Sequence, residues 1–231
     1  MNDKTFVWCI FLALFSISSS WAKSVENDVN KITTNEVASS KESTENNAAN
    51  AEEELTPKDQ LLYFTLVAFR DMSLEYVDLA ANISESLLTD EDLQPNQSTT
   101  IMEFRKNITQ FLEQYKKYDG IEELFNLVDF YSNTTSHYFE LTAETSAADM
   151  LKIKEKLDKY GSDELDREFE NLFMKFGEQF CQKFDEYKSK LSAEELQQEK
   201  VMFDWLEEFK SIQNAEEKIF SFEKFFRFYE E

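Results

Sequence analysis

No proline follows Pro95, and Gly120, Gly161 and Gly177 are the chain's only glycines. Proline removes a backbone donor, and glycine costs about 1 kcal/mol relative to alanine in a helix interior. Long stretches free of both leave helices room to run. Within those stretches the apolar residues recur at intervals of three and four. One series is Ile101, Phe104, Ile108, Phe111, Tyr115 and Tyr118; a second is Ile121, Leu124, Val128, Tyr131 and Tyr138; a third is Met150, Ile153, Leu157 and Tyr160. This is the period of a helix buried along one face, and no comparable stretch alternates with period two as a half-buried strand would. A longer series runs from Leu165 through Phe169, Leu172, Phe176, Phe180 and Phe184 to Tyr187 and Leu191, with the spacing of a straight helix. The fold class this predicts is all-α, a bundle of about seven amphipathic helices.

The punctuation agrees. Thr56-Pro57-Lys58-Asp59 offers a capping hydroxyl, a proline suited to the first helical position and an acid facing the positive end of the helix dipole. Later starts pair an N-cap residue with an acid three places on: Thr100 with Glu103, Ser146 with Asp149, Ser192 with Glu195, and Asn214 with Glu217. Gly120 and Gly161 fall where helices should begin or end.

Ahead of this region stand two segments of different character. Phe6 to Ile17 is an uncharged apolar run preceded by Lys4 and followed by Ser18, Ser19, Ser20, Trp21 and Ala22. That is the layout of a secretory signal, residues 1–22, with small Ser20 and Ala22 placed for cleavage after Ala22. The run is too short to span the ~30 Å hydrocarbon core of a bilayer as a helix. Residues 23–55 are acidic and polar, without an aromatic side chain, and cannot bury enough apolar surface to offset the entropy of ordering. They read as a disordered tail, leaving 56–231 as a single helical domain. Four Asn-x-Ser/Thr sequons, at Asn82, Asn96, Asn107 and Asn133, suit a secreted, extracellular glycoprotein.

Charge and cysteine usage narrow the partners. The net charge of −23 repels nucleic acid and anionic lipid headgroups, and no apolar run after the leader approaches ~18 residues, so neither a nucleic-acid partner nor a stable membrane anchor is expected. Of the two cysteines, Cys9 lies in the leader and Cys181 remains, so the mature chain is expected as a monomer or a Cys181-linked dimer.

Catalytic chemistry finds little support. The glycines are too far apart for a phosphate-cradling loop, and a lone His137 supplies no multi-histidine metal site. The acidic loop from Asp90 through Glu91 and Asp92 places Pro95 and Ile101 where a calcium-binding EF-hand needs glycine and glutamate. No catalytic residue, metal ligand or cofactor is assigned, and the chain is read as a non-enzyme.

Two functional readings follow. In the first, a secreted binding protein takes a lipid or other hydrophobic ligand in an aromatic-lined groove. Its lining would be Phe173, Phe176, Phe180, Phe184, Phe209, Phe222, Phe225, Phe226 and Tyr229, with the Tyr229 hydroxyl among the few polar fixers. In the second, the chain is a protein-interaction or structural factor acting through its acidic surface or its C-terminal aromatic helices, where Val201, Phe203, Phe220, Phe225 and Phe228 lie off the main apolar stripes. Intact-mass and N-terminal sequencing of protein collected from culture medium should find Lys23 as the first residue; retention of Met1 to Ala22 would overturn the leader assignment.

Overall fold

The structure is a computed structural model that describes residues 55–94, 98–139, 141 and 147–229. The leader, the tail up to Glu54, Asn96 and Ser146 lie outside the described residues. Among those described there is no strand, and eight α-helices follow one another: α1 (Pro57–Thr89), α2 (Thr99–Tyr115), α3 (Ile121–Phe139), α4 (Ala148–Tyr160), α5 (Ser162–Ser189), α6 (Ala193–Gln198), α7 (Lys200–Ser211) and α8 (Ala215–Arg227). A short 3-10 turn, Glu91–Leu93, lies between α1 and α2. None of these helices is long and apolar enough to cross a membrane. The all-α class is as the periodicity predicts.

Most helix starts follow the capping chemistry. The Thr56 hydroxyl accepts from the Asp59 amide at 3.2 Å. Ser192 and Glu195 form a full capping box, and Asn214 Oδ1 accepts from the Glu217 amide at 2.9 Å. Two starts differ from expectation. Helix α2 begins at Thr99 under Ser98, whose hydroxyl accepts from the Ile101 amide, and not at Thr100. Helix α4 begins after Ala147, which has no side-chain cap. The segment from Ser192 to Ser211 is two helices because Glu199, at φ −87° and ψ 12°, turns the chain between α6 and α7.

The described residues form two compact units. One is Asp71–Leu172, which holds the later part of α1, all of α2 to α4 and the start of α5. In it α2, α3 and α4 pack against one another, and α4 also meets the 3-10 turn. Its core sets aromatic rings edge to face: Tyr76 against Tyr131 and Phe169 at 6.0 and 5.6 Å, and Phe104 against Tyr138 at 5.5 Å. Gly161 ends α4 in the left-handed region at φ 86°, which lets α5 start one residue later.

The other unit is residues 55–70 with 173–229. Its centre is Phe222, wholly buried, with the rings of Phe180, Phe209, Phe176 and Phe225 at 4.7, 5.1, 5.4 and 5.4 Å. Phe69 from α1 closes the cluster at 5.6 Å, and Trp205 stands perpendicular to Phe222 at 5.8 Å. The Trp205 indole N–H donates to both the carbonyl and the hydroxyl of Ser221, so its polar edge is satisfied inside the apolar mass. Gly177 of α5 lies beneath this cluster, and a methyl group there would meet Phe209 and Lys218 at 3.6 and 3.7 Å, ordinary contact distances. Truncating Phe222 to alanine leaves a cavity among rings already fixed by their neighbours. Phe222→Ala should cost about 3–5 kcal/mol in urea unfolding, whereas a loss under about 1 kcal/mol would show that the cluster readily collapses.

Candidate functional site

The nine residues expected to line a hydrophobic-ligand groove all fall in the second unit, and the structure brings them together. Their rings face one another. Phe173, Phe180, Phe184, Phe209, Phe222, Phe225 and Phe226 have no exposure, and Phe176 has 3 %. Phe180 alone sits within 6.0 Å of Phe176, Phe184, Trp205, Phe209, Phe222 and Phe225. The Tyr229 hydroxyl donates to the Lys58 carbonyl at 3.1 Å, so it serves the fold. Of the off-stripe residues, Phe203, Phe220 and Phe228 are half-buried and Val201 is 65 % exposed.

Cys181 on α5 is half-buried. Burial raises its thiol pKa, opposed in part by Lys210 and Lys218. A thiol held protonated is a poor nucleophile at neutral pH. His137 on α3 has its ring 3.9 Å from that of Tyr138; the residue is exposed overall, and partial desolvation of the imidazole lowers its pKa. Among the described residues no three His, Cys, Asp or Glu side chains gather as a metal site.

The acidic loop has a structural employment that its sequence does not announce. Asp90, 5 % exposed at its side chain, caps the 3-10 turn by accepting from the Asp92 amide at 2.9 Å. The same carboxylate accepts from the Tyr160 hydroxyl at 2.7 Å and from Lys159 Nζ at 3.0 Å, and Lys156 Nζ lies at 3.4 Å. Burial alone would raise the Asp90 pKa; the donors from Tyr160, Lys159 and Asp92 and the charge of Lys156 outweigh it and hold the carboxyl well below the usual range. Arg105 adds a second tie, donating Nη1 to the carbonyls of Leu88 and Leu93 at 3.0 Å each. Asp90 and Asp92 are thus paired with lysines of α4, while Arg105 of α2 ties down the loop's backbone carbonyls.

One titratable group in the first unit is less well provided for. Asp129, within the apolar run Leu127-Val128-Asp129-Phe130-Tyr131 of α3, buries its Oδ1 without a hydrogen-bond partner. Burial pushes its carboxyl up to about 8. Nearby, the Tyr76 hydroxyl donates to Asp166 at 3.1 Å, and the Tyr131 and Ser162 hydroxyls share a bond of the same length. The sequence signal was present, an acid inside an apolar run, but abundance of acids elsewhere hid it.

The sequons of the described residues fall in the first unit. Asn82 on α1, Asn107 on α2 and Asn133 on α3 are all exposed. Two of this unit's grooves have room for a small ligand. One, of about 340 Å³, lies between α1 and the corner joining α4 to α5, and Asn82 is part of its wall. The other, of about 430 Å³, is more polar and is lined by Gln110, Gln114 and Asn126 among others from α2 and α3. Compared with protein-family models, with curated proteins and with solved structures, the chain matches none.

The Asp129 shift carries a pH consequence. Between its ordinary pKa of 3.8 and about 8 the folded chain keeps a proton that the unfolded chain has lost. The stabilisation is therefore full below 3.8 and disappears as pH rises through about 8. Relative to an Asp129→Asn variant, the wild-type protein should lose on the order of a few kcal/mol across this window in denaturant titrations. Parallel pH profiles would show that Asp129 ionises normally.

Proposed function

We propose that this protein is a secreted, non-catalytic acidic glycoprotein that works by binding a protein partner through its exterior, the helices of 56–231 forming an amphipathic bundle beneath that surface. The observation that carries this reading is the state of the aromatic cluster. Rings that a hydrophobic cargo would need as its lining already fill one another's space around Phe222. Admitting a lipid would mean displacing ring contacts worth about 0.5–1.5 kcal/mol per pair beyond their burial, together with the Tyr229 bond to Lys58.

The sequence of the first unit, by contrast, carries a large excess of acid. Residues 71–172 carry 23 acidic and 9 basic side chains, and the large apolar side chains exposed among the described residues are Leu79, Met102 and Val201. A surface of this kind favours a partner with a complementary basic face, with association that weakens as salt rises. The half-buried Cys181 thiol, its pKa raised by burial, favours the monomer over a Cys181-linked dimer in this reading.

Native mass spectrometry of protein purified from producing cells at low salt tests the reading. A copurifying basic polypeptide that dissociates on raising the salt is the expected result. A stoichiometric lipid or other small hydrophobic adduct would overturn it in favour of a hydrophobic-ligand carrier.

A further inference from the structure

Asn82 is both a sequon asparagine and part of a groove wall. The groove runs between Leu79, Asn82, Ile83 and Ser86 of α1 and the corner where α4 passes into α5 through Gly161. We propose that the occupant of this groove is the N-linked glycan of Asn82 itself, its proximal N-acetylglucosamine residues lying along the corner. The inference rests on the secretory reading and goes beyond it, from which asparagines can carry sugar to where one sugar sits.

Four features of the groove suit a pyranose. Leu79, one helical turn before Asn82, is 37 % exposed and offers an apolar patch to the sugar's carbon face. The Tyr160 ring is a second such surface, held in place because its hydroxyl is bonded to Asp90. Carbohydrate hydroxyls and the N-acetyl amide need acceptors, and Glu164 and Glu168 line the opposite wall. Apolar surface with a few polar groups beside it is the usual composition of a small-ligand site, and a Tyr160 ring held in advance reduces the entropy lost on binding. Gly161 has no side chain to block the corner, and its φ of 86° disfavours any other residue.

The order of events is constrained as well. Ser84, the hydroxyl residue of this sequon, is wholly buried and its Oγ has no partner. The transferase must reach that hydroxyl, so attachment at Asn82 precedes folding, and the corner then packs beside a sugar already in place. Asn107 and Asn133 also project from helices but line neither the α1 groove nor this corner. They are internal controls for the same linkage on the same kind of backbone.

The test uses the full chain secreted from cells that make only high-mannose glycans. The folded protein is treated with an endoglycosidase that cuts between the two core N-acetylglucosamines, and each site is followed by peptide mass mapping. The Asn82 glycan should be released about tenfold more slowly than those at Asn107 and Asn133, since a seated sugar must leave its site before cleavage. Leu79→Ser, a surface change, should bring Asn82 close to the rate of the controls. Equal rates in the wild-type protein, or a slow Asn82 that Leu79→Ser leaves unchanged, overturn the seating. An unmodified Asn82 with sugar at Asn107 or Asn133 overturns it while leaving the secretory reading intact. Sugar at none of the sites overturns both.

Discussion

Ring-on-ring packing around Phe222 is the contact on which the unit of residues 55–70 and 173–229 depends. Four separate helices, α1, α5, α7 and α8, deliver aromatic side chains to it: Phe69, Phe180, Phe209 and Phe225 all approach Phe222. Because the quadrupoles of aromatic rings favour edge-to-face and tilted arrangements, such a cluster fixes mutual orientation as well as proximity. The polar atoms caught within it are answered locally, Trp205 by Ser221 and Tyr229 by Lys58. What the sequence presents as a long apolar surplus is thus consumed internally.

The unit Asp71–Leu172 is organised differently. Its aromatic contacts are mostly tyrosines, Tyr76, Tyr131 and Tyr138, and the hydroxyls of the first two bring polar partners inward. At its margin a carboxylate, Asp90, collects donors from residues near the end of α4. Removing one partner from such a set leaves buried polarity unpaired, so the arrangement specifies geometry more than it adds stability. Asp129 shows the alternative, a carboxyl whose buried Oδ1 has no hydrogen-bond partner and whose pKa burial pushes up.

Helices and their starts were legible because both are local. The period of Ile101, Phe104, Ile108 and Phe111 needs only the chain itself, and so do the caps at Ser192 and Asn214. What depended on partners distant in sequence was not legible. Asp90 and Lys159 are far apart along the chain, and nothing at either position names the other. Phe173 to Phe226 have the same spacing whether they line a groove or pack against each other; that distinction lies in the directions from which α1, α7 and α8 approach. The Ser98 cap was missed because Thr99 and Thr100 offer equivalent hydroxyls, and local chemistry alone does not choose among three neighbours. The groove beside Asn82 follows from the turn at Gly161, which was expected as a helix end but not as the side of a cleft.

Gly177 shows how far this packing is from saturation. It interrupts the interior of α5 with the residue that loses most backbone entropy on folding, yet no neighbour comes too close for a methyl group. Its backbone has no need of the left-handed region that Gly120 and Gly161 occupy. The helix therefore holds a reserve of about 0.5–1 kcal/mol at the centre of its longest aromatic face. A chain with such slack can absorb a mildly damaging change elsewhere and recover the loss through one substitution at this position.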